Sequence, residues 1–409
     1  MGLLLKLAWR NVMRNRRRSA ITTGAVAFAL MLTIAMRGMQ RGTYELNIRN
    51  VARLYTGYLQ VQAPGYQENP TLRNSFPYTR EVRRVLDAEP LVTGHAPRVY
   101  ADGLLSYRDN SFGVMILGLD PQAENEVTDL LKRIRQGRAP AEGQEYEILV
   151  GQKLLQNLQA QLGDSLVLLV QGYDGSLRDA FCRIVGVLRT GSEPMDRATV
   201  IMPIRQAQEL LGLEDRVSTV VVSLDRLEDL EPARRRLEPA LRPPKLRVLS
   251  WEEVMPSFKQ MIQFDNAQGI LFLAILIVAV GFGILNSVIM SVTERFREFG
   301  IVLALGMPQH KLVAVVALEI LFVLLFGVAA GNVLGGVVNW YLVHNPIEFT
   351  GTLGAYTEEF GWLPILTSSL RARVFLHSTL AIVLATFGAS LYPLLKVAKL
   401  EPLKGIRYT

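Results

Sequence analysis

GILFLAILIVAVGFGILNSVIMSVTERFREFGIVLALG, residues 269–306, is the stretch on which the reading of this chain turns. Its first part, Gly269 to Val292, holds no charged residue. At 1.5 Å per helical residue, its about 24 positions reach roughly 36 Å, enough to cross a bilayer with some tilt. The charged segment Ser291 to Gly306 follows, and then a longer apolar run, Leu312 to Val343, whose one charge is Glu319. The pattern is two membrane-crossing helices joined by a charged helix lying along one face of the membrane.

Working outward, two further runs, about 19–36 and 374–395, have the same character, giving four spanning candidates. The chain is 50% hydrophobic and its mean hydropathy is positive. Roughly 230 residues of ordinary globular composition separate the first two runs, enough for one large or two small domains. A cleaved signal peptide is rejected, because Ala20 to Met36 is longer than a signal core and Arg37-Gly-Met-Gln-Arg is a poor cleavage site.

The net charge of +7 is concentrated beside the spans. Lys6, Arg10, Arg14, Arg16, Arg17 and Arg18 precede the first without an acid. Lys396, Lys399, Lys404 and Arg407 follow the last against Glu401. Under the positive-inside rule both termini and the charged middle segment are cytoplasmic. The large middle region and the loop 344–373 then lie on the other side. This placement excludes a nucleic-acid reading of the basic balance, which calls for a basic soluble face. The lone Cys182 cannot form an intrachain disulfide, so the exported domain depends on its core.

These observations predict a membrane α-helical fold: four transmembrane helices with a large extracytoplasmic α+β domain inserted between helices 1 and 2. The expected segments are an amphipathic N-terminal helix (1–18), the first span with a stalk (19–56), and the exported domain (57–250). A second stalk and span (251–292), the charged helix (293–307), the third span (308–343), a loop (344–373), the fourth span (374–395) and a basic tail (396–409) follow. Trp9 suits the membrane interface. Pro256 marks a kink or helix start in the second stalk.

Within the exported domain the patterns predict strands at 58–62, 112–118, 147–151, 166–170 and 180–188. Helices are expected over Arg80–Ala88, Glu124–Gln136 and Gln152–Gln161, with a hairpin at Tyr173-Asp-Gly. Residues 218–249 read as a β-α-β unit whose helix is stopped by Pro243 and Pro244. The whole is a split α+β unit with a β-rich insertion over about 121–215.

No catalytic set emerges. His95, His310, His344 and His377 are dispersed, and neither a phosphate loop nor a Gly-x-Ser-x-Gly elbow occurs. Glu252-Glu253 and Glu358-Glu359 read as solvated surface. The chain is therefore expected to be no enzyme and to hold no cofactor or metal. Glu319, roughly 12 Å inside Lys311, has two readings: a buried ion pair or proton site, or a packing carboxylate hydrogen-bonded to a neighbouring helix. The second is preferred. Gly327, Gly331 and Gly335 fall on one face of the third span, with Gly336 alongside, as in close helix packing within lipid.

Thr293-Glu-Arg-Phe-Arg-Glu-Phe-Gly-Ile-Val-Leu-Ala-Leu-Gly306 resembles the E-R-x-R-E-x-G-x-x-x-A-x-G segment of the FtsX/MacB/LolC-like ABC transporter permeases. The start, Ala8-Trp-Arg-Asn-Val-Met-Arg-Asn-Arg-Arg-Arg18, and the end, Pro393 to Arg407, share the resemblance, as does the layout of spans. Val185 to Gly191 followed by Met202 to Val217 looks most like the lipoprotein-releasing (LolC/LolE-type) members.

The resemblance implies a type VII ABC transporter-like fold in the bacterial inner membrane. It implies a coupling helix, with Glu294, Arg295, Arg297, Glu298, Gly300 and Gly306 as ATPase-coupling residues. Its partners would be two copies of an ABC ATPase, which bind ATP and Mg, and a second permease chain, identical or not. Lipoprotein or another lipophilic cargo would enter between the first two spans, past Phe28, Met31, Leu32, Phe272 and Leu276 by helix position. Alternatives within the family are the permease of a tripartite antibiotic or peptide efflux pump and an FtsX-like signalling scaffold. The resemblance further implies recruitment of a periplasmic adaptor or carrier through a long hook loop, but the matching connection here, 172–179, is short.

Overall fold

The computed structural model describes residues 2–399 apart from 144, 242–244, 353, 355–356 and 358–361. Pro243, Pro244, Glu358, Glu359 and the tail carrying Glu401, Lys404 and Arg407 lie outside the described residues. Four helices are long and apolar enough to cross a membrane. Span 1 is Arg16–Val51, prolonged by a π turn at Ala52–Thr56. Span 2 is Pro256–Glu294, span 3 Gln309–His344 and span 4 Ala372–Ala398. The chain divides into two compact units, one of Met1–Tyr44, Ile262–Glu348 and Ile365–Thr409, the other of Glu45–Met261 and Phe349–Pro364.

The first unit is helical. Its centre is an apolar cluster in which Val26, Ala29, Leu30 and Ile34 of span 1 meet Ile284 of span 2, Leu324 of span 3 and Ile382 of span 4. The glycine face of span 3 packs against span 1. A Cβ at Gly327 would stand 2.7 Å from Val26 Cγ1, one at Gly331 2.8 Å from Leu30 Cβ, and one at Gly335 2.9 Å from Ile34 Cβ. Both rows repeat every four residues, so the glycines act as consecutive notches for the larger side chains opposite. Asn339 extends the row by donating from Nδ2 to Ile34 O at 3.1 Å, inside a fully buried crossing. Span 4 turns inward a row of its own at four-residue spacing, Val374, Ser378, Ile382, Thr386 and Ser390. The hydroxyls of Thr386 and Ser390 bond back to the preceding turn of the helix, at 2.8 and 2.6 Å, and so add no unpaired donor to an apolar interior.

The second unit is built on a ten-stranded sheet. Its strands are β1 (Leu59–Gln62), β2 (Val92–Tyr107), β3 (Asn110–Leu119), β4 (Ile134–Gly137) and β5 (Tyr146–Gly151). The rest are β6 (Ser165–Gln171), β7 (Leu177–Leu188), β8 (Thr199–Pro203), β9 (Thr219–Leu224) and β10 (Arg247–Ser250). Their order is β10-β1-β9-β2-β3-β8-β5-β7-β4, with β6 bridging β2 and β7. β1 pairs antiparallel with both β9 and β10, Leu59 facing Val222 and Ser250, so the β-α-β unit is split by the strand that follows span 1. The strands of the 121–215 segment join this one sheet through the parallel pair β3–β8.

One local expectation fails, and one long strand lies where none is expected. The helix expected over Glu124–Gln136 is a short one, Pro121–Val127, followed by a 3-10 turn and then β4. Glu124, read as part of a polar face, is fully buried against Arg98, while Leu130 and Leu131 turn into the core with Leu117, Leu119 and Leu149. Helical spacing was therefore met by residues of the wrong burial. The long strand β2 carries no clean alternation because Gly94, Pro97 and Gly103 interrupt it. A Cβ at Gly103 would come within 2.9 Å of Ile116 Cδ1 and Leu169 O, which is why a residue without one lets β6 lie across the strand.

Candidate coupling site

The charged segment joins spans 2 and 3 at one end of the helical unit. Span 2 ends at Glu294, Arg295 leaves helical geometry with ψ near 7°, and a new helix runs from Phe296 to Ala304. Gly306, at φ +96°, reverses the chain, and Pro308 caps span 3 with an extended backbone suited to a helix start. Phe296 and Phe299 are buried in a cluster with Val292, Leu312, Val316 and Val397, so the short helix is packed on spans 2, 3 and 4.

Its charges are engaged with the rest of the unit. Arg14 Nη2 donates to both oxygens of Glu298, at 3.0 and 2.8 Å, and Arg18 pairs with Glu294. Arg295 Nη1 reaches both oxygens of Glu319, at 3.1 and 3.0 Å, and Asn11 Nδ2 donates to the same carboxylate at 2.6 Å. The Arg295 guanidinium also lies 5.0 Å over the Phe299 ring. Arg14 beside Glu298 holds that carboxyl below its ordinary range. The N-terminal helix (Gly2–Arg14) is fixed on its other side by Trp9, whose ring lies 5.6 Å from that of Phe322 in span 3. The preferred reading of Glu319 is thereby corrected. It does bond to a neighbouring helix, through Asn11, but it is also the carboxylate of a partly buried ion pair, with side chains 11% and 15% exposed.

Of the residues expected at the ATPase contact, Glu294, Arg295 and Glu298 thus bond within the unit, and Gly300 is buried. Arg297 is exposed. Beside it the surface carries two apolar residues that the motif did not single out, Ile301 at 46% and Leu305 at 83% exposure. They stand four positions apart, on one face of the helix end. Their exposure follows from the burial of Phe296 and Phe299 on the opposite side, and it makes them a candidate contact for another protein.

Phe28 and Phe272 are exposed, Met31, Leu32 and Leu276 half-buried, and none of the five belongs to the buried cluster of the spans. Spans 1 and 2 meet through the cluster and through the hydroxyls of Thr22 and Ser287, 2.6 Å apart. In the other unit, the 172–176 connection is a tight turn. Asp174 accepts from the Ser176 hydroxyl and amide at 2.6 and 3.0 Å, bonds that with Arg178 draw its carboxyl down to about 2.

The two classes of ion pair predict different costs. An exposed pair contributes about 0–1 kcal/mol, whereas unpairing a largely buried charge costs several. Glu319→Gln leaves the largely buried Arg295 with only the half-exposed Glu298, 3.2 Å from its Nε, and is expected to lower the unfolding midpoint of the solubilised protein more than Arg14→Gln. Equal shifts would place Glu319 in ordinary solvent.

A family model described as the MacB-like periplasmic core domain matches residues 19–240, and one described as the FtsX-like permease C-terminal region matches 270–402. The lipoprotein-releasing system transmembrane protein LolC of Neisseria meningitidis serogroup B is 22% identical over 406 residues, covering 95% of this chain and 92% of that one. The corresponding LolE of Haemophilus influenzae is 23% identical over 389 residues, 92% and 90% of the two chains. The macrolide export ATP-binding/permease protein MacB of Acinetobacter baylyi is 21% identical over 335 residues, 78% of this chain and 49% of that protein.

Proposed function

The chain belongs to the family of the MacB-like periplasmic core domain and FtsX-like permease region, and on that premise we propose that this ABC transporter permease extracts lipoprotein or another lipophilic cargo from the outer leaflet of the bacterial inner membrane. The observation that carries the cargo class is the end-to-end similarity to two relatives named as lipoprotein-releasing transmembrane proteins. Two relatives named as macrolide export ATP-binding/permease proteins align with 78% and 99% of this chain, at 21% and 19% identity, and with 49% and 61% of their own length.

In this reading both termini and the 296–304 helix are cytoplasmic, as the basic residues beside the spans require. A separate ATPase holds ATP and Mg. Two copies of it dock on two permease chains, this one and a second, identical or not. Docking uses Ile301, Leu305 and Arg297 as the outward contact. The docking helix is tied to the N-terminal helix by Arg14–Glu298, its leading Arg295 to span 3 by Glu319, and span 2 to span 1 by Arg18–Glu294, links through which it would move with the spans. Stalk segments beyond spans 1 and 2 pass that motion to the exported domain, and the acyl chains of the cargo enter between those spans. The tight turn at 172–176 fits the member of a permease pair that does not recruit a carrier.

The cargo is tested by purifying the complex with its ATPase from native membranes and identifying bound material by mass spectrometry. Triacylated peptides are expected; a bound adaptor protein with no lipid sinks the reading in favour of efflux. For docking, Leu305→Asp is expected to abolish ATPase co-purification while membrane insertion is kept. Glu298→Lys cannot isolate the contact, because it also breaks the bond to Arg14. A Leu305→Asp complex that stays assembled moves the docking face elsewhere.

A further inference from the structure

The unit of residues 45–261 and 349–364 holds a cavity of about 650 Å³ that the transport reading does not use. Its volume is in the range of sites for small organic ligands, roughly 300–1,000 Å³. Three guanidinium groups line it, Arg133, Arg135 and Arg189, brought together by the β4–β7 pairing and by Arg189 N–H donating to Arg133 O at 3.1 Å. Among the described residues no carboxylate lines the cavity, and none of the three arginines has an ion-pair partner. Neighbouring Arg138, by contrast, is paired with Glu147.

The rest of the wall is apolar. Leu54, Met115, Met195, Phe258 and Trp362 line it, with the Phe258 and Trp362 rings 5.7 Å apart. Thr199, 1% exposed, also lines the cavity, and its hydroxyl has no hydrogen-bond partner among the described residues. A buried hydroxyl of this kind is normally satisfied, so its lack of a partner points to an occupant.

We propose that this cavity is a binding site for a single-chain anionic amphiphile, its phosphate- or carboxylate-bearing head on the three arginines and its alkyl chain on the aromatic and methionine wall. Arginine forks match such oxyanions bidentately, and three cations without an ion-pair partner among the described residues, beside an apolar surface, fit neither a neutral lipid nor a purely polar anion. The assignment is independent of the cargo reading.

The test uses the full chain in a maltoside detergent, with benzoylphenylalanine at Met195 and mass spectrometry of the photoproduct. The probes are hexadecyl phosphate, hexadecylphosphocholine and inorganic phosphate. The expected result is a hexadecyl phosphate adduct at least tenfold more abundant than the phosphocholine one. Inorganic phosphate in excess leaves it undisturbed. Combined Arg133→Gln, Arg135→Gln and Arg189→Gln should reduce it at least tenfold, and Arg138→Gln should leave it unchanged. Equal labelling by the zwitterionic probe, displacement by inorganic phosphate, no adduct, or undiminished labelling of the triple variant overturns the proposal. Should the triple variant expose the buried Cys182, Arg135→Gln alone replaces it, with a reduction still required.

Discussion

Arg98→Met is expected to speed the reaction of Cys182 with a maleimide by roughly 10²- to 10⁴-fold. Arg98 and Glu124 are both fully buried. Arg98 Nε donates to Glu124 Oε2 at 3.0 Å, and its Nη1 reaches the Tyr55 carbonyl and the Tyr100 hydroxyl. The Thr128 hydroxyl takes up the remaining capacity of the carboxylate. Burial opposes the guanidinium charge, but Glu124 beside it more than compensates and raises its pKa. Removing the cation leaves Glu124 charged and unpaired in the core, a cost of about 3–5 kcal/mol. Each 1.36 kcal/mol is tenfold in the open population. Cys182 is the single cysteine and is buried, with its thiol pushed up to about 12 by desolvation, so its labelling reports opening of the sheet. The double change Arg98→Met with Glu124→Leu is expected to recover most of the loss, since replacing both partners by apolar groups is often neutral. A double variant as labile as the single one would show that the cost is packing and not charge.

Gly331→Leu is the second large effect. The added Cβ would stand 2.8 Å from Leu30 Cβ and 2.9 Å from the Ala27 carbonyl, and a backbone oxygen cannot move aside as a side-chain tip can. Spans 1 and 3 must separate, and the rows of Val26, Leu30 and Ile34 lose their notches. Overpacking of this kind costs about 1–3 kcal/mol or more. The unfolding midpoint of the solubilised complex should fall by several degrees, at about 2–4 °C per kcal/mol, and cargo-stimulated ATP hydrolysis should be lost. Gly336→Ala serves as the control, because its Cβ would meet only the Phe375 ring at 3.6 Å, an ordinary contact. If the two substitutions behave alike, the glycine face is incidental to packing.

What could be read from the sequence follows the range of the interaction that sets each feature. The spans were legible because an uncharged run fixes a membrane helix locally: the runs at 269–292 and 312–343 lie inside Pro256–Glu294 and Gln309–His344. The split β-α-β unit was legible because β9, its helix and β10 are consecutive. Strand order, the burial of Glu124 and the partner of the glycine face were not, since each depends on residues far apart in the chain. The ion pairs of the coupling site show the same limit. Glu298 and Arg14 are 284 positions apart, and nothing near Glu298 announces that its charge is satisfied inside the unit. The exposure of Leu305 is set by the same packing, because it follows from which face Phe296 and Phe299 bury.

That face has a consequence for how the transporter holds together in a test tube. With its one acidic residue, Glu298, bonded to Arg14, the short helix offers a partner Ile301 and Leu305 beside Arg297. Attachment through such a face depends on water release from apolar surface. It should withstand molar salt, which screens ion pairs between exposed charges, and weaken on chilling, because apolar association loses strength as temperature falls. On the docking proposed above, room temperature with ample salt should keep the motor on its permease better than ice at low salt.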